Sequence, residues 1–189
     1  MKLLVKPALA ALALGALLAC GGGSDEPAQT PPCDMACEDG VALRALRDAI
    51  KLVYNVKLQG QPVGPQEATT PCPLGGMAQV SGDASSNADQ GATMVHLTYV
   101  FTECAYSETD TDPTQTFAMT LDGTVTETGM IAVQSSATTA LTFDSESMTF
   151  AGTVYAPAKP YDESCTVQLE QNGNDLSGKL CGHSAGTSL

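Results

Sequence analysis

The chain has 189 residues, with 8 Lys and Arg against 21 Asp and Glu for a formal net charge of −13, seven cysteines and no tryptophan. That length accommodates one domain with a tail and argues against a multidomain enzyme; the acidity argues against a nucleic-acid binder, because phosphate recognition needs clustered Lys and Arg. The charge is also uneven: not one Lys or Arg occurs in the 101 residues between Lys57 and Lys159, which hold 11 acids.

Residues 1–20 read MKLLVKPALAALALGALLAC. Lys2 and Lys6 form a basic start, and Ala8 to Ala19 is a run of small and aliphatic residues broken only by Gly15. The run has the polarity and size of a signal-peptide core and is too short to cross about 30 Å of hydrocarbon. It ends in Leu17-Leu18-Ala19-Cys20, followed by Gly21-Gly22-Gly23-Ser24. This string resembles the lipobox of bacterial lipoproteins. The resemblance implies that Cys20 is acylated on its thiol, that residues 1–19 are removed, and that the new amino terminus is acylated. Two or three acyl chains anchor stably where one is marginal, at about 0.8 kcal/mol per buried CH₂. Asp after the cysteine retains such proteins at the inner membrane. Gly21 stands there instead, so the resemblance implies a lipid-anchored protein of the cell envelope, at the outer membrane. Loss of Lys2 and Lys6 leaves six basic against 21 acidic residues, a net of −15.

Residues 21–32, GGGSDEPAQTPP, contain no large apolar side chain and read as a tether. The expected organisation is a signal peptide over 1–19, lipidated Cys20 and tether over 20–37, a helix plus β-domain over 38–182, and a tail over 183–189.

One helical pattern follows the tether. Leu43, Leu46, Ile50 and Val53 recur at three- and four-residue spacing, with Asp39 placed to cap the start and Asn55 or Gly60 near the end. Arg44, Arg47 and Lys51 form a basic stripe on another face. It is a solvated face paired with the acidic body or, given the tether, a contact for anionic lipid head groups or a partner.

From Gly75 onward the period changes to two. Val95, Leu97, Tyr99 and Phe101 alternate with His96, Thr98 and Thr102, and similar alternation recurs around Phe117–Val125, Leu141–Phe143, Met148–Val154 and Val167–Leu169. Thr dominates the polar parity, which suits a pleated surface. Turn clusters intervene at Ser85-Ser86-Asn87, Asp110-Thr111-Asp112-Pro113, Asp144-Ser145-Glu146 and Asn172-Gly173-Asn174-Asp175. The expected fold is mainly β: an antiparallel meander of about eight strands, either an open sheet or a small barrel, with one N-terminal amphipathic helix.

Setting Cys20 aside leaves six cysteines, an even number that in an exported chain reads as three disulfides. Cys165 and Cys181 lie equidistant from Gly173, and Cys72 and Cys104 are symmetric about Ala88, which leaves Cys33 with Cys37. A two-residue Asn172-Gly173 turn would put Leu180 opposite Cys165 and match Leu169 with Leu176, so the first pairing needs a bulge or a longer turn. Cys33-x3-Cys37 is not a tight zinc knuckle, and no His cluster accompanies it.

Three strings raise the question of chemistry. Gly182-His183-Ser184-Ala185-Gly186 matches G-x-S-x-G, but only three residues follow it, too few for the helix and the downstream His of a nucleophile elbow. Glu108, Asp110 and Asp112, and likewise Asp144 and Glu146, offer oxygen ligands to calcium without matching an EF-hand. His96 lies on the polar parity of its strand and reads as a surface residue. The expectation is therefore a non-catalytic binding or structural module, without cofactor. Its partners would be the membrane through the lipid anchor, and either an envelope protein or a small apolar ligand. An envelope hydrolase and a calcium-dependent adhesin-like domain are the alternatives. A cavity lined by Phe101, Phe117, Phe143 and Phe150 would favour a ligand; the same rings packed solid against Leu46 and Ile50 would favour a structural role.

Overall fold

The first element begins where Asp34, in extended conformation, accepts a hydrogen bond from the Cys37 amide at 3.1 Å and caps α1 (Met35–Val53). A computed structural model describes residues 33–188; Cys20 and most of the expected tether lie outside the described residues. Asp39 does not cap the helix. Asp34 is the cap, and the helix starts inside the region assigned to the tether, where the Cys33–Cys37 disulfide spans its first turn. Asp39 lies one turn in, four residues before Leu43 and seven before Leu46, on the buried stripe. Val41, Leu43, Leu46, Ala49 and Val53 fill the rest of that stripe. The helix runs on into a wider turn, Tyr54–Leu58, and stops at Gly60, whose φ of +80° an L side chain rarely adopts.

Eight strands follow: β1 (Gly64–Pro71), β2 (Gly75–Asn87), β3 (Ala92–Glu108), β4 (Phe117–Ala132), β5 (Ala140–Val154), β6 (Lys159–Asn172), β7 (Asp175–Leu180) and β8 (His183–Ser188). They form one sheet in sequence order, every neighbouring pair antiparallel, with β1 and β8 at the edges. The expected mainly-β meander with one N-terminal helix is therefore present, as an open sheet. Its elements differ from expectation at four places. The Ser85-Ser86-Asn87 cluster ends β2 instead of forming a turn, which follows at Ala88–Gln90. β1 (GPQEATTP) went unrecognised because it has no large apolar residue; its Pro65 and Pro71 suit an edge. Leu141–Phe143 and Met148–Val154 belong to one strand, because the Asp144-Ser145-Glu146 cluster is a bulge between Ser145 and Met148, not a turn. Residues 183–188, expected as a tail, form β8, which returns from β7 through a two-residue turn at Cys181-Gly182 with φ of 53° and 83°.

All three disulfides join the expected partners: Cys33–Cys37, Cys72–Cys104 and Cys165–Cys181. The register conflict in the last hairpin resolves by a shift of the turn. Gly173-Asn174 occupies its centre, so Val167 faces Leu180 and Gln171 faces Leu176. Cys181, left-handed just past the end of β7, then reaches Cys165 with a Cα separation of 4.8 Å.

The inward parity of the sheet packs on α1. Leu97, Tyr99, Phe101, Leu121, Met148, Phe150 and Leu180 are all essentially inaccessible, together with Leu43 and Leu46 of the helix. The threonines of β3 to β6 keep partial or full exposure on the other parity.

Candidate functional site

The helix does not fill the space above the sheet completely. Leu43, Leu46 and Ile50 of α1 and Tyr54 of the turn after it form one side, and Leu141, Phe143, Leu169 and Leu176 present the facing wall. Between them lies a largely apolar cleft of about 200 Å³, open at one side. A wider hollow of about 360 Å³ lies under the Tyr54–Leu58 turn, but backbone and side-chain polar groups from Gly60 to Gln66 rim it, so it offers less apolar enclosure.

The cleft carries one acid in its wall. Glu127, on β4, stands at the same parity as Val125 and Leu121, and is 3% exposed. Its Oε2 accepts a hydrogen bond from the Tyr99 hydroxyl of β3 at 2.7 Å. Burial pushes the Glu127 carboxyl up to about 7, against a smaller downward pull from the Tyr99 hydrogen bond. The Tyr99 hydroxyl is also driven up, first by burial and then by the Glu127 charge. Among the described residues Tyr99 is the single polar partner of this carboxyl. No motif marks Glu127, and the signal that could have found it is its parity: an acid where the strand otherwise buries apolar residues.

The basic stripe is divided between two surroundings. Arg47 lines the mouth of the cleft, held by Asp48 at 2.6 Å and by a 3.2 Å hydrogen bond to Thr187 of β8. Lys51 stands exposed at the same mouth. Arg44 is partly buried, where desolvation and then the Arg47 charge lower its affinity for a proton, while Asp48, Glu108 and Asp112 oppose them. Two of the three cations thus face acids of the domain.

A second polar cluster ties the helix to the end of the sheet. Asp39, 2% exposed, accepts from the Tyr161 hydroxyl of β6 at 2.7 Å, and its other oxygen lies 2.8 Å from Nδ1 of His183 on β8. Burial, then the hydrogen bond to Asp39, drive the Tyr161 hydroxyl pKa up. Lys159 adds an ion pair to Glu38 at 2.8 Å and a hydrogen bond to the Cys33 carbonyl.

The chemistry-bearing strings do not converge. His183 turns to Asp39, which in a strand carries the neighbouring Ser184 to the opposite face, where it is exposed. His96 lies on β3 with Thr128, 3.1 Å away on the outer face, and does not approach Ser184. Asp110 and Asp112 spend their carboxylates on their own loop, accepting from the amides of Asp112 and Thr114 at 2.9 Å each. Among the described residues no group of three or more His, Cys, Asp or Glu is placed to hold a metal ion. Of the four Phe whose lining of a cavity would favour a ligand, Phe143 alone lines the cleft. Phe101 stacks on Tyr99, Phe117 tilts on Tyr106 and Phe150 meets Tyr161 edge-on, all inside the solid core. Leu46 and Ile50, whose packing on those rings would have favoured a structural role, border the cleft.

Comparison with protein-family models, with characterised proteins and with solved structures finds no match to this chain.

Proposed function

We propose that this protein is a lipid-anchored component of the bacterial cell envelope, held at the outer membrane through Cys20, whose β-domain is a non-catalytic binding module for a small apolar or amphiphilic ligand. The observation that carries the binding reading is the cleft between α1 and β3 to β7, lined by aliphatic and aromatic side chains with one inward carboxyl. Its 200 Å³ falls below the about 300–1,000 Å³ of pockets that enclose drug-sized ligands. The ligand is therefore a short hydrocarbon chain or a single ring, not a drug-sized molecule. The anchor reading rests on the Leu17-Leu18-Ala19-Cys20 string.

Titration of the ¹⁵N-labelled domain with hexan-1-ol tests the cleft. Saturable shifts are expected at Tyr99, Glu127, Leu141 and Phe143, and Leu141→Phe, which fills the space, should abolish them while the spectrum stays dispersed. Absence of saturable shifts in the wild type would overturn the binding reading. Metabolic labelling with palmitate tests the anchor: incorporation lost in Cys20→Ala supports it, and incorporation that survives refutes it.

A further inference from the structure

Glu127 poses a question that its protein partners leave open. A carboxyl this buried needs its lone pairs satisfied, and Tyr99 supplies one donor to one oxygen. No cation on its own or neighbouring strands can help, because β3, β4 and β5 fall inside the stretch between Lys57 and Lys159 that has no Lys or Arg. Three aromatic side chains, Tyr54, Tyr99 and Phe143, line the same cleft. A carboxylate among aromatic rings in an apolar enclosure is the chemistry that recognises an ammonium group.

Building on the proposed binding role, we propose that the cleft selects an amphiphile with a single short hydrocarbon chain and a terminal ammonium, whose N–H groups bond the Glu127 carboxylate. The chain lies against Leu46, Ile50 and Leu141. The competing occupant is an anionic amphiphile with its head at Arg47 and Lys51, and magnitudes decide against it. Arg47 is already paired with Asp48, and Lys51 is exposed, where an ion pair is worth about 1 kcal/mol or less. Glu127 is buried and, among the described residues, has no cation beside it, so a ligand that completes it recovers a larger desolvation term.

Binding of the ammonium requires Glu127 as carboxylate, so its proton leaves to solvent when the free protein holds one. The titratable and charged groups facing Glu127 are Tyr99 from β3 and, across the cleft from α1 and the turn after it, Arg47, Lys51 and Tyr54; the β5, β6 and β7 walls contribute none. Since the carboxyl titrates near 7, affinity for the ammonium falls about tenfold per pH step below that value.

The experiment compares n-hexylammonium, hexanoate and hexan-1-ol on the folded domain at pH 8.5 and pH 5.5, by NMR titration. An alkylammonium stays protonated at both, titrating like lysine near 10.4. At pH 8.5 hexylammonium should bind at least about tenfold tighter than hexan-1-ol, with hexanoate the weakest. At pH 5.5 the hexylammonium advantage should be gone, whereas hexan-1-ol does not weaken. Glu127→Gln should reduce hexylammonium to the level of hexan-1-ol. Tyr99→Phe keeps the carboxylate but removes the bond that favours its charge, so the pH of half-loss should rise. Hexanoate binding as tightly as hexylammonium, or hexylammonium unaffected by Glu127→Gln, would overturn the ammonium proposal and leave the apolar cleft standing. Failure of all three probes to bind would overturn the cleft reading itself.

Discussion

Glu127→Gln should stabilise the domain at neutral pH, although it removes a charged residue from a hydrogen bond. The folded carboxyl titrates near 7 where an ordinary glutamate titrates at 4.5. Between these values the unfolded chain gives up a proton that the folded chain keeps, so stability falls as pH rises through that window and is level above it. The difference corresponds to about 3 kcal/mol lost by pH 7.5, at 1.36 kcal/mol per pH step. Gln fills the same volume, its carbonyl still accepts from Tyr99, and it carries no charge to desolvate. The assay is urea denaturation of wild type and variant at pH 4.5, 5.5, 6.5 and 7.5. The expected result is that the stability of the variant relative to wild type grows with pH by about 3 kcal/mol across the series. Asp110 and Asp112, held below the usual range by hydrogen bonds from their own loop, act in the opposite direction and below 3.8, and they cancel in the difference. Parallel curves for the two proteins would refute the argument that Glu127 is buried at the expense of its charge.

Chain-entropy reasoning ranks the three disulfides by loop length, so replacing both cysteines by Ala should cost about 4 kcal/mol for Cys72–Cys104, about 3 for Cys165–Cys181 and about 2 for Cys33–Cys37, read by chemical denaturation. Gly129→Ala should destabilise by about 3 kcal/mol or prevent folding: at φ +135° an added Cβ would stand 2.3 Å from the Ala140 carbonyl oxygen on β5, and thermal melting reads the loss. Asp39→Asn should cost about 2 kcal/mol, since one of the two buried oxygens that meet Tyr161 and His183 is replaced by an amide NH₂, and calorimetry should show a melting point lower by about 4–8 °C.

The sheet was legible wherever burial is one-sided, because there the alternation of apolar residues with threonine has a single reading. β3 and β4 are the clearest cases. β1 and β8 were not legible, since edge strands bury little and neither GPQEATTP nor HSAGTS holds a large apolar residue to mark an alternation. The bulge in β5 looked like a turn because bulges and turns recruit the same polar residues. The disulfide pairing came out of symmetry about the hairpin turns, and the register that made Cys165 to Cys181 awkward was off by the identity of the turn residues alone. The cleft was half legible. Leu46 and Ile50 stood out as a helical stripe, but whether a stripe is covered or left open depends on the shapes of side chains drawn from strands as far apart as β3 and β7. Glu127 and Asp39 could have been marked, as both sit at spacings otherwise reserved for buried apolar residues. A polar residue on a buried register is the pattern to search for in chains of this kind.

The bonds that fasten α1 join the beginning of the domain to its end. Glu38 to Lys159 spans 121 residues, Asp39 to Tyr161 122, Arg47 to Thr187 140 and Asp39 to His183 144. The first element made therefore waits for the last. Until β6 to β8 exist, α1 has no partner for Asp39 and lacks β8, the strand it meets most, although β2 to β5 already cover part of its apolar stripe; each hairpin of the meander needs only its immediate neighbour. Strand pairing can advance step by step along the chain, but the polar fastening of the helix is a late event with a large loop to close. A chain cut short before Lys159 should accordingly pair its early strands and leave the helix resting on β2 to β5 without its polar fastenings.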